Sequence, residues 1–163
     1  MNRGFIIKKI YLDMDGVLAD FDRGKRELCE PGIRPKWDGI RKVPHFYDRL
    51  ELMPGAKEMF DEIYGLYGDK CEILTGIPKP HQRIEHAAED KIAWAHRLLS
   101  ENVVVHTVLK EEKKNFVTGP DCVLIDDHQP NIDDWVRSGG TGILFTDAEA
   151  ALAELRYIEM ADR

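Results

Sequence analysis

Short runs of Val, Ile and Leu alternate along the chain with longer segments in which hydrophobic residues recur every three or four positions. The short runs are typical of buried β-strands, and the three-to-four spacing is typical of helices that bury one face. The runs predict strands at 5–12, 71–75, 103–108, 122–125 and 142–145. The spacing predicts helices at 54–66, 84–99, 111–117, 131–137 and 148–157.

The predicted strands are apolar along almost their whole length, and at least one helical segment separates each strand from the next. Strands of this kind occur in parallel sheets whose two faces are both covered by helices. The sequence therefore predicts an α/β fold: a doubly wound, Rossmann-like parallel sheet of about five strands with helices on both faces.

The segment 23–51 departs from this alternation. It contains three prolines and several aromatic residues, among them Trp37, Phe46 and Tyr47, without a clear hydrophobic period. Connections of this length are more often functional or disordered than incidental, and the aromatic residues favour a folded lid. We expect a core domain made of 1–22 and 52–163, with a small cap inserted at 23–51 after the first strand.

Length and charge restrict the classes of function. The chain has 163 residues, which fits one compact domain with a small insertion. Its 23 basic and 30 acidic side chains give a net charge of −7. Because binding to long nucleic acids depends on Lys and Arg that neutralise phosphates, an acidic chain without a basic stripe is not expected to bind them. A small anionic substrate is still compatible with this net charge if basic side chains cluster at its binding site.

Neither a membrane span nor a secretion signal is expected. No apolar run approaches the ~20 residues of a transmembrane helix. Lys8 and Lys9 interrupt the N-terminal apolar run, and no small-residue cleavage site follows it, so we expect a cytoplasmic protein. The cysteines form no C-x-x-C pair and are expected to be buried thiols rather than a disulfide or zinc framework: Cys29, Cys71 and Cys122.

Acidic residues follow the first predicted strand. Asp13 and Asp15 emerge where that strand ends, and Gly16 permits a tight turn beside them. The carboxyl ends of the strands line the ligand crevice of a doubly wound sheet, so both carboxylates are expected there. A D-x-D-G turn alone is weak evidence for a site. An EF-hand is excluded because Val17 and Leu18 occupy positions where that loop needs a ligand and a glycine.

Two further strand ends carry chemistry. The second strand ends in Thr75 and Gly76, which place a hydroxyl and a backbone N–H on the same sheet edge. The fourth ends in Asp126 and Asp127, whose mutual repulsion at a desolvated edge favours a cation between them and the first acidic pair. A hard ion with oxygen ligands, Mg²⁺, fits best. Alternatively, Asp126 or Asp127 caps the helix that begins near Pro130.

The run 110–114 contains three lysines and precedes the fourth strand. Such a run is usually a solvated helix face, but one lysine near the sheet edge would complete a phosphate site. The histidines have no metal-ligand spacing, although His128 follows Asp127 directly. No G-x-S-x-G, P-loop or G-x-G-x-x-G motif is present, so acyl hydrolases, P-loop kinases and dinucleotide enzymes are unsupported.

Taken together, Asp13-x-Asp15-Gly16, Thr75, a lysine and Asp126-Asp127 resemble the four motifs of the haloacid dehalogenase superfamily of phosphohydrolases. The run DMDGVLADF is most similar to the 5′(3′)-deoxyribonucleotidase branch and its phage and bacterial relatives. Further similarities to this branch cover most of the chain outside the insertion and occur at Lys91-Ile92-Ala93-Trp94, Leu98-Leu99, Leu124-Ile125-Asp126-Asp127, Asn131-Ile132, Trp135, Gly139-Gly140 and Ile143-Leu144-Phe145.

The resemblance implies a role for each motif. Asp13 would be the nucleophile that forms an aspartyl-phosphate, and Asp15 would be the general acid and then the base. Mg²⁺ would be held by Asp13, Asp126 and the backbone carbonyl of Asp15, with Asp127 acting through water or by orienting the lysine. Thr75 and the Gly76 N–H would bind phosphate oxygens.

The lysine of the phosphate site is best assigned to Lys113, with Lys114 and Lys110 as alternatives. Two departures from the nucleotidase branch stand out: Gly76 lies where a serine often follows the threonine, and no arginine accompanies the lysine. Phosphate binding would then depend more on the backbone and the metal.

Substrate selection is expected in the cap. Phe21 matches an aromatic residue that stacks on the base in the nucleotidases, and Trp37 would complete an apolar slot with Phe46 and Tyr47. The alternative is that these aromatic residues only pack the cap onto the core. The implied partner is a small phosphorylated substrate, in first place a nucleoside monophosphate.

Three other functions compete with this one. A receiver domain has an acidic pair, a phosphoaccepting Asp, a Thr and a Lys, but its adjacent pair comes early, whereas here Asp126-Asp127 comes last. A Mg²⁺-dependent nucleotide-binding protein without turnover would not need Asp15. A phosphatase for another small phosphomonoester, or for a nucleic-acid phosphate end, is the remaining alternative.

Overall fold

The computed structural model describes residues 5–161. Residues 1–4, which form part of the N-terminal segment assessed for a signal peptide, and residues 162–163 lie outside the described part. The strands are β1 (Lys9–Leu12), β2 (Cys71–Gly76), β3 (Val105–Val108), β4 (Cys122–Asp126) and β5 (Thr141–Leu144). The helices are α1 (Phe21–Leu28), α2 (Lys36–Arg41), α3 (Ala56–Tyr67), α4 (Ala87–Leu98), α5 (Gln129–Arg137) and α6 (Ala148–Met160). Short 3₁₀ helices span Phe46–Arg49, Gly68–Lys70, Pro80–Gln82 and Lys110–Phe116.

The sheet confirms the predicted α/β class. Its five strands are all parallel and lie in the order β3-β2-β1-β4-β5, so β1 is central. The chain changes direction across the sheet between β1 and β4, and ligands bind at such switch points outside the carboxyl ends of the strands. The Asp13 N–H donates to the Ile125 carbonyl at 2.9 Å, which holds the ends of these two strands in register.

The sheet is covered by two hydrophobic layers. One contains the buried faces of α3 and α4 and most of the segment after β1, including Phe60 and Trp94. The other is smaller and centres on Tyr11 and Trp135. Both tryptophan side chains satisfy their indole N–H, because Trp94 donates to the Leu50 carbonyl at 2.8 Å and Trp135 donates to the Cys122 carbonyl at 3.1 Å.

The segment 23–51 is folded in the structure. It contains most of α1, all of α2 and the 3₁₀ helix Phe46–Arg49, and α1 begins at Phe21. The Asp20 side chain caps this helix by accepting from the Arg23 N–H at 3.1 Å. The segment packs on α4 through the Trp94 bond to Leu50 and through Arg97, which donates to the Asp48 carbonyl at 2.7 Å.

The run 110–114 differs in type from the α-helix that its spacing suggests. It forms the 3₁₀ helix Lys110–Phe116, in which Lys113 is buried while Lys114 is exposed. Because 3₁₀ geometry brings every third residue to one face, Lys110 and Lys113 lie on the same side. Within residues 5–161, no helix is long and apolar enough to cross a bilayer.

Candidate active site

Three carboxylates meet at the carboxyl edge of the sheet. Asp13 follows β1, Asp126 ends β4 and Asp127 comes next, and one oxygen of each lies within 4.8 Å of the others. Asp13 is 6% exposed and Asp126 is fully buried, whereas Asp127 is open to solvent. The strand ends on either side of the switch point therefore bring together residues that are more than 100 positions apart in sequence.

Lys113 is the cation that faces this cluster. Its Nζ donates to Asp13 Oδ1 and to Asp126 Oδ2, each at 2.8 Å, and the side chain is only 4% exposed. Of the three lysines that the sequence leaves open, Lys113 is the one that touches these acids. Lys110 lines the same cavity, and Lys114 is exposed to solvent.

Asp126 is held by three donors besides its strand. Its Oδ1 accepts from the His128 N–H at 2.8 Å, and its Oδ2 accepts from Asn131 Nδ2 at 3.1 Å as well as from Lys113. Helix α5 begins at Gln129 with His128 as its N-cap and without a side-chain cap. Neither Asp126 nor Asp127 therefore serves as the N-cap of this helix, which was the alternative interpretation of the pair.

A second buried lysine organises Asp15. The Nζ of Lys91, on α4, donates to Asp15 Oδ2 at 2.8 Å, to the Thr75 hydroxyl at 3.0 Å and to the Gly76 carbonyl at 2.6 Å. Lys91 is fully buried, and its ammonium also lies 4.4 Å from the ring centre of Tyr47. Lys91 thus joins the residues after β1 to the end of β2 on the side of the crevice opposite Asp126.

The other oxygen of Asp15 has no partner. Within the described residues, Oδ1 is buried from solvent and receives no hydrogen bond. A buried carboxylate oxygen without a donor is costly, and a ligand or a water that donated to this atom would remove the cost. Asp15 itself lines the cavity together with Asp13.

Burial and crowding change the proton affinities of the cluster. Burial raises the pKa of Asp13 above its usual range despite the Lys113 ion pair, and the charge of Asp126 adds to this rise. Burial and the charge of Asp126 also raise the pKa of Asp127. Burial disfavours the charge of Lys113, but Asp13 and Asp126 outweigh that effect and raise its pKa. One lysine does not neutralise three crowded carboxylates.

These residues fit a hard cation. The three carboxylates offer oxygen ligands from two neighbouring strand ends, their mutual repulsion is incompletely compensated, and oxygen is the ligand type of Mg²⁺ and similar ions. Gly16 makes the arrangement possible because a Cβ at this position would lie 2.0 Å from Asp127 Oδ2. Its φ of +81° also lies in the left-handed region that favours glycine.

Four of the five predicted substrate residues line one cavity of about 510 Å³, within the usual range for small-molecule sites. The fifth, Thr75, is fully buried and does not line the cavity, and its hydroxyl accepts from Lys91. Phe46 is buried in the hydrophobic core. The cavity is lined by the predicted residues Asp13, Asp15, Phe21, Trp37, Gly76, Lys113 and Asp127, together with Tyr47 and with residues that were not predicted for it, among them Lys36, Lys79, His81 and Gln82.

Lys91 is the main residue that the sequence analysis missed as a contributor to the site. A lysine in a helix normally faces solvent, so the residue type alone does not indicate a buried role for Lys91. Its spacing does indicate one, because the buried face of α4 consists of residues at helical spacing that include Ala87, Lys91, Trp94 and Ala95. A charged residue in an otherwise buried stripe needs an acidic or polar partner, and here the partners are Asp15 and Thr75.

Comparison with known proteins confirms the resemblance suggested by the motifs, although no family model matches the chain. The chain is 26% identical to human mitochondrial 5′(3′)-deoxyribonucleotidase in a 151-residue alignment, and the match covers 76% of this chain and 63% of that protein. It is 27% identical to the human cytosolic-type enzyme in a 146-residue alignment, and the match covers 73% of this chain and 70% of that protein. The chain thus spans less than two thirds of the mitochondrial relative.

The fold has known counterparts as well. A HAD family hydrolase from Deinococcus radiodurans, solved with bound phosphate and sodium, superimposes with a TM-score of 0.51 at 16% identity, covering 93% of this chain and 89% of that one. This similarity confirms the fold class. The sequence relatives are enzymes by name, which agrees with the expectation of an enzyme rather than a receiver domain.

Proposed function

Because the chain is similar to 5′(3′)-deoxyribonucleotidases in sequence and to a HAD family hydrolase in fold, we propose that it hydrolyses phosphomonoesters, with Asp13 as nucleophile. The observation that carries this proposal is the convergence of Asp13, Lys113 and Asp126 at the switch point, with Asp15 facing the same cavity. Nucleoside monophosphates are the proposed substrate class, as the names of the relatives suggest.

Asp13 attacks phosphorus and forms an aspartyl-phosphate while the ester P–O bond breaks. Its carboxylate is held by the Lys113 ammonium, which orients Oδ1 and lowers the electrostatic repulsion between a carboxylate and an anionic phosphate. Gly76 ends the next strand and lines the cavity, where its N–H binds a phosphate oxygen. Thr75 is fully buried beside it and contacts Lys91 instead of the cavity. Lys110 lies beside Gly76 and adds positive charge at this end of the cavity.

Asp15 is the proposed general acid and base. It protonates the leaving alkoxide in the first step and takes a proton from the attacking water in the second. Lys91 holds Oδ2 and so fixes the orientation of the Asp15 carboxylate beside the cavity. Lys91 therefore acts as a positioning residue for Asp15.

The proposed metal is Mg²⁺, held by Asp13, Asp126, Asp127 and the backbone carbonyl of Asp15. When bound, such an ion neutralises phosphate charge and stabilises the charge that develops during transfer. The protein contributes the ligand geometry, since Asp126 is fixed by His128, Asn131 and Lys113. The Gly16 turn brings Asp127 close to the loop after β1.

The test is phosphate release from a panel of nucleoside and deoxynucleoside monophosphates and an aryl phosphate, with Mg²⁺ and with a chelator. We expect Mg²⁺-dependent release that prefers nucleotides and is reduced at least about 10³-fold in Asp13→Asn, because the nucleophile is lost. The control is Asp61→Asn, which removes an exposed carboxylate of α3 outside the cavity. It should retain wild-type rates.

Three results would contradict parts of this proposal. Wild-type turnover by Asp13→Asn would exclude Asp13 as the nucleophile, whereas a loss of turnover supports the assignment when circular dichroism shows an intact fold. Nucleotide binding to the wild-type protein without phosphate release from any substrate would instead favour a nucleotide-binding protein. Phosphate release from the aryl phosphate alone would support a phosphatase but exclude nucleotides as its substrates.

A further inference from the structure

The cap side of the cavity carries a lysine that no acid neutralises. Lys36 begins α2 and lines the cavity together with Phe21 and Trp37. Its Nζ lies 4.8 Å from the ring centre of Trp37 and 5.5 Å from that of Phe21. Among residues 5–161, no carboxylate oxygen lies within 4.0 Å of this nitrogen. The two rings therefore orient a positive charge toward the cavity without cancelling it.

This arrangement changes what the aromatic residues offer to a substrate. The ring of Phe21 also lies at 6.2 Å from that of Tyr47 in a stacked orientation, and Lys25 approaches it at 5.9 Å. A nucleobase that stacked on Phe21 would compete with these neighbours for the ring. The cap end of the cavity thus presents an ammonium group where a bare aromatic slot was expected.

The other lysines of the cavity are distributed differently. Lys113 is paired with two aspartates, and Lys79 lies 3.8 Å from Glu111. Lys110 lies beside Gly76, at the end where the transferred phosphate is proposed to bind. Lys36 lies on α2, in the cap segment, whereas the transferred phosphate is proposed to bind at the strand ends. In a chain of net charge −7, an uncompensated lysine in the cavity indicates a second anionic group on the ligand.

We propose that Lys36 binds a second phosphate group, so that the preferred substrate is a phosphomonoester with two phosphates, such as a nucleoside 3′,5′-bisphosphate. This inference rests on the proposed phosphatase function and specifies its substrate class. The reaction is the same hydrolysis: the ester P–O bond at the Asp13 end breaks, water supplies the oxygen of the released phosphate, and the leaving oxygen gains a proton. The phosphate at Lys36 is retained in the product.

The test compares kcat/KM for a deoxynucleoside 3′,5′-bisphosphate with that for the matching 5′-monophosphate. We expect the wild-type protein to prefer the bisphosphate by about tenfold or more, as one charge-assisted hydrogen bond provides. Lys36→Met should bring this ratio close to one. Lys25→Met is the matched control, since Lys25 also approaches Phe21 but does not line the cavity, and it should keep the wild-type ratio.

A wild-type ratio near one, or an unchanged ratio in Lys36→Met, would overturn the inference. A 5′-phosphorylated dinucleotide carries a phosphodiester in place of the free second phosphate and so represents a nucleic-acid end. If Lys36 raised kcat/KM for this dinucleotide and not for the bisphosphate, the assignment to bisphosphates would be overturned. Calorimetric binding to Asp13→Asn separates this inference from the proposed function. If no substrate is hydrolysed, tighter binding of the bisphosphate than of the monophosphate to Asp13→Asn would still support the role of Lys36, provided that adding Lys36→Met removes the difference. Equal binding of the two ligands to Asp13→Asn would contradict that role.

Discussion

Lys91 shows how much of the proposed chemistry depends on one buried side chain. Its ammonium contacts Asp15, Thr75 and the Gly76 carbonyl and is shielded completely from solvent. A buried ammonium is stable only where several acceptors surround it. The three contacts therefore fix the residues after β1 relative to the end of β2, within the crevice where the substrate phosphate is proposed to bind.

Replacing Lys91 by Met tests this role. Met has a similar length and keeps the contact with Tyr47 while removing the charge and the donors. We expect kcat for the best substrate to fall by about 10²-fold, the lower end of the usual general acid–base contribution, with a much smaller change in KM. Steady-state kinetics measure both parameters.

The control for this substitution is Lys57→Met on α3, where the lysine is exposed and pairs with Asp61. This variant should keep the wild-type kcat and KM. Unchanged kcat in Lys91→Met would show that Asp15 does not depend on Lys91. Equal losses in kcat and in folded protein at the assay temperature would indicate a structural role only.

At the scale of elements, two helix-interior glycines predict opposite effects of the same substitution. Gly24 in α1 faces Leu50, and a Cβ at this position would lie 2.2 Å from Leu50 Cδ2. Leu50 is itself buried, so Gly24→Ala forces the helix or the leucine to move. We expect this variant to lose about 1–3 kcal/mol of unfolding free energy, the usual range for overpacking.

Gly65 in α3 provides the matched control because, within residues 5–161, no neighbouring atom lies within 4 Å of a Cβ at that position. Gly65→Ala should gain about 0.5–1 kcal/mol, since alanine loses less conformational entropy than glycine in a helix. Urea denaturation of both variants measures the two free energies. A neutral or stabilising effect of Gly24→Ala would mean that the contact of α1 with Leu50 is loose.

The elements also show which features the sequence could predict. The strands were predictable because residues such as Val123, Leu124 and Ile125 are buried on both faces, and this burial requires an unbroken apolar run. The convergence of the acids at the strand ends was predictable because the carboxyl ends of parallel strands meet at one edge of the sheet. The place of Lys36 in the cavity was not, because its contact with Phe21 depends on how α2 packs beside α1, and no local pattern encodes a contact between separate elements.

At the scale of the whole molecule, an ion pair links the segment 23–51 to the core. His45 Nδ1 lies 2.8 Å from Asp90 Oδ1, and Asp90 is part of the buried face of α4, next to Lys91. The hydrogen bond to Asp90, together with its charge, raises the pKa of His45. The folded protein therefore binds the proton of His45 more tightly than the unfolded chain, whose histidine titrates near about 6.5.

This difference sets the sign of a pH effect on stability. A raised pKa in the folded state stabilises the protein fully below about pH 6.5, and the contribution disappears as the pH rises through the folded-state pKa. We expect the melting temperature of the wild type to exceed that of His45→Asn more at pH 6 than at pH 8.5. Asparagine is chosen because it tolerates the left-handed backbone of His45, whose φ is 52°.

His86→Asn is the control for the histidine pair. His86 is also left-handed, with φ of 60°, and its ring stacks on that of His45 at 5.5 Å, but in the described part of the chain no carboxylate lies within 4.0 Å of it. Its melting temperature should differ from that of the wild type by a similar amount at both pH values. If the difference in melting temperature between the wild type and His45→Asn were constant with pH, or grew toward pH 8.5, the contact with Asp90 would not favour the protonated form of His45. Because Asp90 adjoins Lys91, a confirmed effect would mean that the attachment of the cap segment weakens with rising pH directly beside the residue that positions Asp15.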